Sequence, residues 1–211
     1  MKIDFVSDVS CPWCVIGLKG LEAALAKLPD LAVELHFQPF ELNPQMPLGG
    51  EDIAAHVARK YGGEPADFAR NQEMIRARGA ELGFTFNMDK RTRIYNTFDA
   101  HRLLHWAEIE GRQHELKNAL FVAYFTHGRD PGDYAVLVDA AREAGLDPAR
   151  AQQVLASGEY ATEVREREEH YRRLGISAVP SIIINDRHLI QGGQPPEVFE
   201  QALRQLAGSA G

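Results

Sequence analysis

A chain of 211 residues can bury one good core and still carry a large insertion. Apolar residues make up 45% and charged residues 25%, the balance of an ordinary globular protein, and no stretch approaches the ~20 apolar residues that span a bilayer. The net charge of −7 argues against nucleic acid as a partner, because phosphate binding needs a basic face. The expectation is therefore neither a nucleic-acid nor a membrane protein.

Residues 2–7 read as a buried strand, from the apolar run Ile3 to Val6. Ser10-Cys11-Pro12-Trp13-Cys14 follows and holds the only two cysteines. Residues 11 to about 28 read as a helix, with Val15, Leu18, Leu21, Leu25 and Leu28 on its apolar face, Ser10 as N-cap and Pro12 in the first turn. Pro29-Asp30 ends it, and residues 31–39 alternate as a second strand, with Leu31, Val33, Leu35 and Phe37 apolar. The turn-rich stretch Pro39 to Pro47, with Gly49-Gly50 behind it, reads as a long loop leaving the sheet.

From there the pattern is helical, with helices expected over 51–61, 65–82, 96–110, 112–127, 133–144, 148–156 and 159–173. Gly62-Gly63, Gly111, Gly128 to Gly132 and Gly145 punctuate them. Phe84-Thr85-Phe86 reads as a short extended piece. Strand character returns only at 181–185, then a turn at Asn185-Asp186-Arg187 and a strand at 188–191. Gly192-Gly193 follows, and Pro195-Pro196 opens a last helix with Val198, Phe199, Ala202, Leu203 and Leu206 inward. The order β-α-β, helical block, β-β-α suits an α/β fold with one sheet: residues 1–44 and 174–211 form a split domain, and 45–173 an inserted helical domain.

Cys11 and Cys14 sit where a strand ends and a helix begins. A cysteine at a helix N-terminus faces unpaired N–H groups and the positive end of the dipole, which favours the thiolate, the form that attacks disulfides. Cys14, one turn on, can resolve a mixed disulfide, so Cys11 is expected to be exposed and Cys14 covered. A static disulfide would staple only a tiny loop, and a zinc site would need histidines to complete its ligands. The N-terminus does not read as a signal peptide, so a full gene product is expected in the cytoplasm, where a lone CxxC is catalytic or metal-binding rather than a staple. Val179-Pro180, directly before the third strand, reads as a loop proline or a cis-proline beside the active site.

With these residues in hand, the chain resembles the thioredoxin superfamily, and its long helical insertion resembles the DsbA branch. The stretches Ser7 to Cys14, Pro39 to Pro44, Asn96 to Leu103 and Gly192 to Pro195 look like the FrnE-like subgroup of cytoplasmic dithiol–disulfide oxidoreductases or isomerases. The resemblance implies a thioredoxin-like fold (β-α-β … β-β-α) and a redox-active Cys11–Cys14 disulfide, with Cys11 attacking and Cys14 resolving. It implies a cis Pro180 and substrate contacts from Pro12, Trp13, Phe40, Leu42 and the Val179 backbone, with Asn96, Thr97 and His101 lining the cleft. Its partners would be a disulfide-containing protein or small thiol and a thiol reductant or oxidant system. No cofactor or metal is implied, although glutathione can serve as reductant, and the state would be monomer or homodimer. DsbA usually has a histidine inside its CxxC, whereas Pro12-Trp13 offers no imidazolium, so a milder oxidant is expected. The hydroxychromene-carboxylate isomerases and kappa-class glutathione transferases share the scaffold but carry serine at the attacking position. They supply the alternative, a glutathione-dependent isomerase or transferase with a pocket formed by Phe40, Leu42 and Trp13.

Other candidates are weaker. His101 and His105 have metal-binding spacing, but the HExxH glutamate is absent and a polar helix face is expected. Arg91-Thr92-Arg93 reads as a solvated loop rather than a substrate patch. Glu163 to Glu169 reads as a solvated helix face with i,i+4 pairs. Asp8 either touches the active site or caps the turn.

Overall fold

The structure, a computed structural model, describes residues 1–62 and 65–208; Gly63 of the expected Gly62-Gly63 break lies outside them. The opening unit is β1 (Lys2–Ser7), α1 (Pro12–Ala26) and β2 (Glu34–Pro39), and the closing unit is β5 (Ser181–Ile184), β6 (His188–Gln191) and α9 (Pro196–Gly208). All four strands join one sheet in the order β2-β1-β5-β6. β1 pairs parallel to β2, with Phe5 opposite Phe37, and antiparallel to β5, with Phe5 opposite Ile182. Ile3, Phe5 and Val6 are all fully buried, and Asp4 between them is buried too, bonded to Gln38 and Lys2, because both faces of β1 are covered. α1 and α9 pack together, and Leu18, Leu21, Phe199 and Leu203 join Ile3 and Phe5 in one cluster.

Between the halves come α2 (Ile53–Tyr61), α3 (Pro65–Glu81), α4 (Phe98–Ile109), α5 (Gln113–Phe121), α6 (Tyr134–Glu143), α7 (Pro148–Ser157) and α8 (Ala161–Arg173). Helices α4 to α7 enclose their own core, including Leu103, Trp106, Leu116, Leu137 and Val154. Phe84, Phe86, Phe121, Tyr124 and Phe125 instead pack with the sheet and both cysteines. The single helix expected over 112–127 is α5 continued by a π-helical turn, Val122–Thr126.

Five local expectations change. Helix α1 is capped by Cys11 rather than Ser10, because the Asp8 carboxylate takes the Ser10 N–H into the turn before it. Strand β2 starts at Glu34, not 31, because the chain before it is held by the N-terminus: the Met1 ammonium donates to Ala32 O at 2.7 Å. Phe84-Thr85-Phe86 forms no strand. Its two rings lie tilted to each other with centroids 4.8 Å apart and Phe86 meets Phe125 edge-on, so side-chain packing replaces a ladder. Strand pairing in this block occurs where none was expected, between β3 (Glu51–Asp52) and β4 (Arg93–Ile94). Finally, the 163–169 face is not all solvated: Glu168 is fully buried, held by Arg165 at 2.8 Å and near Arg172.

Candidate active site

Pro12 fills the first position of α1, where its missing N–H costs nothing, and Cys11 holds the extended cap conformation at φ −92° and ψ 113°. Both thiols are free. Cys11 is 4% exposed, a correction to the expectation of an open thiol, and Cys14 is wholly buried. The two are tied by the Cys14 N–H donating to Cys11 O at 3.1 Å. Burial first, then the hydrogen bond and charge of Cys11 beside it, push the Cys14 thiol well above its ordinary value.

Across from them lies the loop before β5. The Val179–Pro180 peptide bond is cis, and the Cys11 thiol lies 3.7 Å from the Val179 carbonyl. Close packing of small residues makes this approach possible. A Cβ on Gly17 would stand 2.9 Å from Pro180 Cγ, and one on Gly193 would stand 3.0 Å from the Trp13 carbonyl. So α1, the Pro180 loop and the turn after β6 meet with no room for side chains between them.

The turn before Cys11 is organised by Asp8, which is buried and accepts N–H bonds from Ser10 at 3.2 Å and Leu42 at 2.7 Å. His101 of α4 approaches to 3.5 Å, an ion-pair distance without a formed hydrogen bond. Burial alone would raise the Asp8 carboxyl; His101 and the two N–H groups outweigh it and hold the carboxyl below its ordinary value. Asp8 thus caps the turn and pins the 40–42 segment to it. Behind it, burial and then the charge of Glu168 push Glu41 upward, while Arg165 bonds both carboxylates.

Two buried cations stand near the dithiol. Lys117 of α5 is 1% exposed, with its ammonium over the rings of Phe121 at 5.0 Å and Phe37 at 6.0 Å. Among the described residues no carboxylate forms an ion pair with it. Burial lowers its pKa to about 8, partly opposed by the cysteines and Asp8. Arg91, 7% exposed, lies over the Tyr124 and Phe125 rings at 5.0 Å each and donates to Ser10 O at 3.3 Å.

A cavity of about 340 Å³ opens beside Ser10, Pro12 and Trp13. Leu42, Ile53, Val57, Phe68, Ile75 and Ile94 form its apolar wall. Asn43, His56, Asn71, Gln72 and Arg91 add polar groups. Cys11 is not on this wall, but both of its chain neighbours are. A larger groove of about 540 Å³ between α3 and residues 83–89 contains neither cysteine nor the Pro180 loop.

Residues 2–204 match the DSBA-like thioredoxin domain family. The chain belongs to the DsbA-like thioredoxin family. A probable DsbA oxidoreductase from Streptomyces coelicolor is 34% identical, covers 99% of this chain and 90% of its own, and superposes with a TM-score of 0.90. Two further structures share the fold. One is the cytosolic disulfide reductase DsbM from Pseudomonas aeruginosa, solved with GSH (19% identity, 98% of this chain and 99% of that one, TM-score 0.65). The other is a 2-hydroxychromene-2-carboxylate isomerase (16% identity, 100% and 98% covered, TM-score 0.72). No curated protein sequence matches the chain.

In this DsbA-like chain the residues singled out from sequence divide into two groups. Cys11, Cys14, Pro12, Trp13, Val179 and Pro180 come together at the start of α1, and Leu42 and Trp13 lie on the cavity wall. Phe40 does not; it packs with Val6, Tyr171 and Ile176, because its position in the chain carries it to the α8 side. Asn96 is engaged with backbone, donating to Met46 O and accepting from Phe98 N, and buried Thr97 is the N-cap of α4. Neither they nor His101 line the cavity. His105 packs against Tyr160 at 5.0 Å, and among the described residues no cluster of three metal-binding side chains occurs. Arg91, expected in a solvated loop, is the residue that reading missed. The only sequence hint was a cation followed closely by the apolar pair Ile94 and Tyr95.

Proposed function

We propose that this DsbA-like protein is a thiol–disulfide oxidoreductase, a disulfide reductase or isomerase that works through Cys11 and Cys14. One observation carries the reading: two free thiols at the mouth of α1, with Cys11 against the Val179 carbonyl and Cys14 sealed behind it. The Cys11 thiolate attacks one sulfur of a substrate disulfide, forming a mixed disulfide and releasing one thiolate. The Cys14 thiol, after losing its proton, attacks the Cys11 sulfur. The Cys11–Cys14 disulfide forms, the second substrate thiolate leaves, and two electrons have passed to the substrate. A disulfide-bonded starting state runs the same steps in reverse. The substrate segment lies along the Val179 backbone and against Pro12, Trp13 and Leu42.

Within the family we place the chain in the FrnE-like subgroup, with 1–44 and 174–211 as the redox domain, 45–173 as the insertion, and the cytoplasm as its site of action. Glutathione or a thiol–protein system resets the pair; the DsbM structure with GSH supports the first of these. The test is thiol-dependent insulin reduction or refolding of scrambled ribonuclease. Activity falls to background in Cys11→Ser; full activity in that variant would refute the assignment.

The apolar cavity favours a second reading, glutathione-dependent isomerisation of a small aromatic molecule. Turnover that survives Cys14→Ser but requires glutathione would select it over dithiol exchange.

A further inference from the structure

Among the described residues, the cavity beside Ser10 and Trp13 has no acid on its wall, although the chain carries 30 acids against 23 lysines and arginines. Its guanidinium, Arg91, is a cation at any working pH. Among the described residues no carboxylate forms an ion pair with Arg91. Among the described residues its Nε, fully buried, has no hydrogen-bond partner, and the guanidinium donates a long hydrogen bond to Ser10 O and lies against the Tyr124 side chain. A buried charge is ordinarily paired, and a buried donor left without a partner calls for a reason. The reason lies in the cavity: an apolar wall with a single unpaired, planar cation is complementary to an apolar group that ends in a carboxylate. At about 340 Å³ the space is at the small end of ligand sites and fits one arm of a small molecule rather than a folded segment.

We propose that the cavity binds a low-molecular-weight disulfide with an apolar, carboxylate-bearing arm, and that Arg91 holds the carboxylate. The Ser10 contact puts that anchor one residue from Cys11, so the arm that enters the cavity delivers its own sulfur to the attacking thiolate. Cys11 displaces the other half as a thiolate, and Cys14 then displaces the bound arm as a second thiolate, as in the exchange above. The inference rests on that dithiol reading.

The experiment compares two aromatic disulfides with the reduced protein in a stopped-flow spectrometer: 5,5′-dithiobis(2-nitrobenzoate), which carries carboxylates, and 2,2′-dithiodipyridine, which does not. The quantity read is the ratio of their second-order rate constants. Arg91→Met lowers this ratio about 10- to 100-fold, the loss expected for one charge-assisted bidentate contact. Loosening of the Ser10 turn slows both reagents together and leaves the ratio alone. An unchanged ratio overturns the proposal. Should Arg91→Met fail to fold, Asn71→Asp decides, because it sets an anion on the cavity wall at an exposed position of α3: the ratio drops at least threefold, or the proposal is wrong. If Cys11→Ser reacts with both reagents as fast as the wild type, the dithiol reading itself fails; if it reacts with neither while the Arg91 ratio is unchanged, only the carboxylate site fails.

Discussion

Arg91 and Lys117 are both buried, both cationic side chains from the helical block, and both lie against aromatic rings, yet their surroundings differ. Arg91 stands at the wall of an open cavity and keeps an unsatisfied donor. Lys117 is closed into the core at 1% exposure, over the rings of Phe37 and Phe121 and coupled to Cys14. A guanidinium cannot shed its proton, so Arg91 waits for an anion; an ammonium can, and burial brings Lys117 down to about 8. The first is suited to choosing what reacts with Cys11. The second is suited to setting how readily Cys14 ionises, since its charge is among the influences that lower the Cys14 pKa against burial. Lys117 is coupled to both thiols, whereas Arg91 reaches the turn beside Cys11 through Ser10 O.

The largest effects separate the thiols themselves. Cys11→Ser removes exchange entirely, whereas Cys14→Ser retains the first attack and stalls as a mixed disulfide. Next comes Lys117→Met, which slows release of that mixed disulfide about tenfold at pH 7, because loss of a nearby positive charge shifts a thiol by one pKa unit or more. Its rate recovers as pH rises, and single-turnover kinetics across pH read that profile. A lysine that served packing alone would not move that profile.

The same substitution changes stability, with a definite sign. The folded pKa of Lys117 lies below its unfolded value of 10.5. Below pH about 8 both states hold the proton and the full burial penalty is present; between about 8 and 10.5 the unfolded state binds more protons and stability rises with pH. Cys14 acts oppositely: its folded pKa is raised, so its contribution is complete below about 9.0 and declines as pH climbs toward the folded value. The difference between Lys117→Met and wild type isolates the lysine. The variant is more stable at pH 7 by about 3 kcal/mol, at 1.36 kcal/mol per pKa unit, and this advantage fades by pH 10.5; urea unfolding at both values measures it.

Smaller effects come from the glycines that let α1 meet the Pro180 loop. Gly17→Ala sets a methyl 2.9 Å from Pro180 Cγ, part of a rigid ring, and costs about 1–3 kcal/mol by overpacking. It also reduces exchange several-fold by moving the Val179 carbonyl from Cys11. Wild-type stability in this variant, read by thermal unfolding, would mean that the contact has slack.

Much of this was legible in the sequence wherever one short pattern decides the outcome. The strand run Ile3 to Val6, Pro12 behind a cap, and the turn-bounded strands at 181–184 and 188–191 each follow from local chemistry. The dithiol was legible because two lone cysteines at a strand–helix junction have few other uses. What escaped depends on contacts distant in the chain. Arg91 reaches Ser10 across 81 positions, and Glu41 meets Arg165 across 124. Nothing in Arg91-Thr92-Arg93 distinguishes the buried arginine from the exposed one, which donates to the Gly49 and Gly50 carbonyls. Phe40 was misplaced for the same reason: its aromatic character marks burial, not which core receives it.

Cys14→Ser, incubated in reduced form with one equivalent of a model disulfide and examined by intact-mass and peptide mass spectrometry, tests the central claim most directly. A single adduct of half the disulfide, located on Cys11 and removed by dithiothreitol, is the predicted result. No adduct, or Cys11 recovered as a free thiol, would contradict the assignment of Cys11 as the attacking group.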